Sequence, residues 1–137
     1  MININPVFVK TPAIFWGKLT TANTAKDGTG TVVCIFTAGV DGSRVDKIVF
    51  QPLGTNVATV ARIFINNGTD NTVATNNTYI GDIALASSSL SESLEMPKTE
   101  YQFPDGLFLP AGYKVNVAIG TTVAAGIQAI AFGGHLS

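Results

Sequence analysis

The chain has 137 residues, enough for one domain with a core of ordinary size. It is 46% hydrophobic but only 12% charged, about half the usual share, and 16 Thr and 10 Asn fill much of the gap. A formal net charge of -1 excludes the electrostatic footprint of a nucleic-acid-binding protein. No apolar run approaches the ~20 residues that span a bilayer.

The chain opens with "MININPVFVKTPAIFW", apolar but broken by Pro6 and Pro12, which argue against a central strand or a helix. An extended arm over residues 1–19 is expected, either an edge strand folded on its own sandwich or a segment docked on a neighbour. So much apolar surface needs a cover. The candidates for docking are Ile4, Phe8, Ile14, Phe15 and Trp16. The same stretch lacks the basic and continuous apolar regions of a secretory signal, so synthesis and use in a cytoplasm are expected.

From residue 20 to 137 one β-sandwich domain is expected. Short apolar runs alternate with turn clusters at the spacing of a sandwich or barrel. "TVVCIFTA" (31–38) is rich in β-branched residues, with Cys34 as a small packed apolar group. "RVDKIVFQPL" (44–53) reads as a strand with Pro52 at its end or at an edge. "VATVARIFIN" (57–66) puts Ala61, Ile63 and Ile65 on one face. Val60, Arg62 and Phe64 take the other, which suits a strand inside a sheet. Arg62 reads as solvated or paired.

"TYIGDIALA" (78–86) places Tyr79, Ile83 and Leu85 on one side. Residues 87–106 have weak periodicity and read as a long connection with a short strand near "EYQF" and, at most, a helical turn in "SLSESLEM". "YKVNVAIG" (113–120) alternates most cleanly, with Tyr113, Val115, Val117 and Ile119 inward. "GIQAIAFGG" (126–134) is expected to pair with it as a final hairpin. The fold class is therefore all-β, an antiparallel β-sandwich, with six to eight strands and a jelly roll as the favoured form.

Chemistry is sparse. His135, the only histidine, lies in a "GGHLS" tail expected to be mobile, and a general base needs fixed geometry. One cysteine and one histidine make no zinc site and no nucleophile pair. The carboxylates are scattered, and "DGTG", "DGS" and "NNGTDN" read as turns rather than calcium loops. No enzyme, metal or cofactor is expected. The loop Asn66, Asn67, Thr69, Asp70 and Asn71 offers uncharged hydrogen-bonding groups, which contact a partner without the desolvation cost of a charge. That chemistry suits binding or assembly.

Four segments carry a resemblance: "TANTAKDGTGTVVCIFTAGVDGSRVDKI" (21–48), "GTNVATVARIFINNGTDN" (54–71), "LPAGYKVNVAIGTTVAAG" (109–126) and "FGGH" (132–135). Together they resemble small jelly-roll virion proteins of tailed bacteriophages, the head decoration or cement proteins. The resemblance implies a non-catalytic protein on the outer capsid surface, made in the host bacterial cytoplasm. Its implied partner is the major capsid protein, bound as a homo-oligomer with a trimer favoured, without nucleic acid or membrane. A tail, baseplate or head-fibre component is the nearest alternative. A carbohydrate-binding sandwich attaching to host glycans through Trp16, Tyr79, Tyr101 or Tyr113 is the alternative from another class.

Overall fold

In the computed structural model, which describes residues 8–137, the turn clusters of the sequence separate eight strands. These are β1 (Thr11–Leu19), β2 (Val33–Thr37), β3 (Ser43–Pro52), β4 (Thr59–Asn66), β5 (Asn77–Leu85), β6 (Thr99–Leu109), β7 (Lys114–Ile119) and β8 (Ile127–His135). The helical segment among the described residues is a 3-10 turn at Ala74–Asn76, not the expected "SLSESLEM". Pro52 closes β3, where its missing N–H costs no ladder bond.

The strands pair as nested antiparallel couples, β1 with β8, β2 with β7, β3 with β6 and β4 with β5. Two further pairings, β3 with β8 and β4 with β7, zip these couples into two four-stranded sheets. The first sheet has the order β1-β8-β3-β6 and the second β2-β7-β4-β5. Only the β4–β5 link stays within a sheet; every other connection crosses the sandwich. The chain is an antiparallel β-sandwich.

Crossing corrects the expected final hairpin. β7 pairs with β2 and β4, whereas β8 pairs with β1 and β3. Each carries one wholly apolar face, Val115, Val117 and Ile119 on β7 and Ile127, Ala129 and Ala131 on β8, all at most 2% exposed. Side by side, the two faces would form half of one layer; across the sandwich, they bury each other. Buried Asn56 holds the crossover, donating to the Gly126 carbonyl and accepting from the Ala125 amide.

Three bulges explain the remaining differences. In β2 the register slips between Cys34 and Phe36, so Ile35 and Phe36 are both buried while Cys34 faces out, exposed rather than packed. In β5 a slip opposite Ile63 and Phe64 turns Tyr79 outward with Phe64, away from Ile83 and Leu85. In β6 the register jumps from Gln102 to Leu107, leaving Phe103–Gly106 as extra residues. Pro104 and the positive φ of Gly106 (78°) fit that interruption on an edge strand. Hence "EYQF" belongs to a longer strand whose alternation is broken.

The expected arm over 1–19 is, from Thr11 onward, an edge strand of the first sheet. Nine residues of β1 pair in register with β8, from Thr11 opposite His135 to Leu19 opposite Ile127. Ala13 and Leu19 point into the core. An edge position tolerates Pro12. The boundary of the sandwich therefore falls before β1, not at residue 20.

Candidate functional site

The five candidate docking residues divide. Ile4 lies outside the described residues. Phe8 precedes β1 and is exposed. Phe15 is 39% exposed but leans on the sandwich, its ring edge-on to Phe36 at 5.2 Å between centroids. Ile14 and Trp16 face outward, 51% and 63% exposed, and sit beside Phe132 and Ile130 of β8. Val49 and Lys47 of β3 continue the two rows. An apolar stripe thus crosses three paired strands of the first sheet. It ends in charge: Lys47 Nζ lies 5.5 Å from the Phe132 ring centroid and 3.6 Å from Glu100 Oε1. Hydrogen bonding from Gln102, then the Lys47 ammonium, holds the Glu100 carboxyl below its ordinary value.

The polar loop at 66–71 is engaged within its own chain. Asn66 is 1% exposed, accepting from the Gly68 amide and donating to Asn77 Oδ1. Asn71 donates to the carbonyls of Gly28 and Gly30, both at 3.0 Å, and Asn77 donates to those of Asp27 and Asn71. On the neighbouring loop Asn23 spans the Thr29 and Thr31 carbonyls. The asparagines therefore latch two loops together over one end of the second sheet. Asn67, Thr69 and Asp70 are exposed, but Asn67 accepts from Thr69 and Asp70 from the Thr72 amide. Those amide and hydroxyl contacts hold Asp70, and likewise Asp27 beside Thr29, below the ordinary carboxylate value.

A cavity of about 360 Å³ opens on the same outer face, lined by Lys26, Arg62, Tyr79 and Asp82. The β5 bulge builds it. Tyr79 and Asp82 are three positions apart and would face opposite sides of a regular strand. The extra residue brings both outward, beside Arg62, which stands directly opposite Asp82. The Asp82 carboxylate, chiefly as hydrogen-bond acceptor, pushes the Tyr79 phenol above its ordinary value. Arg62 leans the other way, over Gly120, where a Cβ would come within 3.4 Å of Nη1. Arg62 Nη1 is buried without a hydrogen-bond acceptor, and among the described residues Arg62 forms no ion pair. Of the two expected states, solvated or paired, the paired one is not formed, and the half-exposed side chain is solvated only in part. The signal in the sequence was an arginine between Val60 and Phe64 on the outer face of an internal strand.

His135 is not in a mobile tail. It ends β8, opposite Thr11 and Ser43, and its ring rests 6.0 and 6.1 Å from the Phe15 and Phe36 centroids. The four aromatic residues of the glycan reading do not converge. Tyr101 and Tyr113 pack against the core, Tyr79 lies on the second sheet's outer face and Trp16 on the first's. Among the described residues, no group of three or more His, Cys, Asp or Glu side chains is placed to hold a metal ion.

No protein-family profile matches the chain, and no curated protein sequence matches it significantly. Solved virus structures align with it loosely. One is a chain of infectious bursal disease virus, Gt strain, at 12% identity and a TM-score of 0.30, covering 96% of this chain and 35% of that one. Another is VP2 from a subviral particle of the same virus, at 14% identity and 0.31, covering 98% and 37%. The chain thus spans little more than a third of the length of those chains.

Proposed function

We propose that this protein is a non-catalytic structural component of a phage virion, a decoration or cement protein on the outer surface of the head. In this reading the nested strand pairing of the sandwich belongs to a jelly roll, an architecture used for capsid and lectin domains. The segments resembling phage virion proteins run through that sandwich. The observation that carries the reading is the outward pair Ile14 and Trp16, held rigid on a paired strand beside Ile130 and Phe132. A sheet face exposing large apolar groups favours burial against protein.

In this reading the major capsid protein covers that face. The grip is a rigid sheet surface rather than a loose arm, so little chain entropy is lost on docking. Repetition over a capsid lattice multiplies a modest contact through avidity. A closed homotrimer fits such a lattice.

Sedimenting purified virions and locating the polypeptide by electron microscopy tests the proposal. Particles carrying it on the outer head support it. A position on the tail, baseplate or a fibre replaces it with the nearest alternative, and particles lacking the chain overturn it.

A further inference from the structure

We propose that the cavity between β4 and β5 is a binding site for a carboxylate-bearing sugar, with Arg62 and Lys26 taking the carboxylate and Asp82 and Tyr79 the ring hydroxyls. The site lies on the opposite sheet from the apolar stripe, so the inference stands independently of how the protein docks.

The argument begins with an imbalance. Arg62 and Asp82 are cross-strand partners and would ordinarily pair. They do not: no ion pair joins them, and the Arg62 guanidinium lies over Gly120 instead. The half-buried cation has lost part of its hydration without gaining an anion, with one nitrogen shut off from any acceptor. Such a group gains from an anionic ligand more than an exposed arginine does. A carboxylate matches the guanidinium's remaining donors, since two of them in one plane take two oxygens in parallel, while the buried Nη1 stays closed to a ligand. Lys26, exposed at the rim, adds a second positive charge.

Asp82 decides between ligand classes. Asp82 repels the carboxylate of either ligand alike, and a plain acidic side chain from a protein partner brings no hydroxyl donors to offset that repulsion. A sugar acid brings them: its carboxylate meets Arg62 while its hydroxyls donate to Asp82 and meet the Tyr79 phenol. The Tyr79 ring, 48% exposed and braced edge-on by Phe64 at 5.7 Å, offers an apolar face to ring carbons. A volume of about 360 Å³ sits at the small end of ligand sites and suits one sugar ring.

The test is an NMR titration of the full chain with sodium D-glucuronate, and separately with D-glucose, acetate and a short glutamate peptide. Glucuronate is expected to shift the Tyr79 ring and Arg62 side-chain signals saturably, with a dissociation constant on the order of 1 mM. Glucose and acetate should bind about tenfold more weakly or less. Arg62→Lys, which keeps the charge but not the fork, should weaken glucuronate by about tenfold. Lys26→Gln, on an exposed side chain that leaves the fold intact, should also weaken it. Absence of saturable shifts overturns the proposal. So does a response to acetate or the glutamate peptide equal to that of glucuronate, or unchanged binding by both variants.

Discussion

The hydroxyl of Ser43 lies 2.6 Å from Nδ1 of His135, joining residues 92 positions apart. Ser43 is fully buried, and its oxygen also accepts the Gly39 amide at 2.9 Å. One hydroxyl therefore ties the end of β8, the start of β3 and the turn before it. Ser43→Ala would leave the Gly39 N–H and the imidazole without their partner, a loss expected to cost about 1–3 kcal/mol. In a His135→Ala background the same change should cost less, giving a coupling of roughly 0.5 kcal/mol or more. Urea unfolding of the two single variants and the double variant checks this; strict additivity would sink it.

"FGGH" owes its paired glycines to the same corner. A Cβ on Gly133 would come within 2.9 Å of Val45 Cα and 3.0 Å of the Arg44 carbonyl carbon, both backbone atoms that have no room to yield. The approach is this close because β3 bulges between Val45 and Lys47. Gly133→Ala should therefore destabilise by overpacking, by about 1–3 kcal/mol, although alanine is otherwise the better strand residue. A thermal midpoint equal to that of the parent protein would refute the steric account.

Regular alternation is what made most of this fold legible. β4 and β7 each bury the expected residues, Ala61 and Ile63 on one, Val115, Val117 and Ile119 on the other. Pairing was less legible, because a strand with one apolar face reads the same whether its neighbour in sequence lies beside it or across the core. The misplacement of β7 against β8 follows from that. Bulges hid the rest: at β5 one extra residue moved Tyr79 to the side of Arg62, and without it the cavity has no sequence signature. The loop asparagines were visible by count. Their use as an internal latch depends on contacts such as Asn71 to Gly28 and Gly30, some forty positions away.

That latch is testable. Asn71→Ala removes the bonds to the Gly28 and Gly30 carbonyls and should loosen the 23–31 loop from the 66–77 loop, leaving the Asn77 bond to the Asp27 carbonyl between them. Global stability is expected to fall by about 1–2 kcal/mol, since carbonyls near the surface recover water. Amide exchange should rise in both loops while the core strands stay protected. Uniform loss of protection throughout the chain would contradict a local latch.

Acid should loosen the same loops. Asp27 and Asp70 titrate below their ordinary value of 3.8 because Thr29 and Thr72 donate to the ionised carboxylates. A depressed folded value means that the ionised form favours folding. The contribution is complete above the ordinary value and is lost as pH falls through the lowered folded values. NMR titration should show the Thr29 and Thr72 amides moving together with their carboxylates, below pH 3.8. Asp27→Asn should abolish the Thr29 transition and leave that of Thr72. Midpoints at or above the ordinary value would remove the hydrogen bonds as its cause.

Docking and folding should separate along β1. Removing residues 1–7 leaves every pairing of β1 with β8 in place, whereas removing 1–16 takes six of its nine residues, Thr11 to Trp16, and strips the edge of β8. The longer deletion is therefore expected to lower stability and promote edge-to-edge association, not to give a folded domain that merely fails to bind. The clean probe is a single outward side chain. Trp16→Glu changes a residue that is 63% exposed, so stability should stay within about 0.5 kcal/mol of the parent. Binding to undecorated heads should be lost, because a charge would have to be buried opposite an apolar surface. Co-sedimentation with heads, scored beside unfolding curves, distinguishes the two effects. Normal binding by a folded Trp16→Glu protein would show that the stripe of Ile14, Trp16, Ile130 and Phe132 is not the gripping surface.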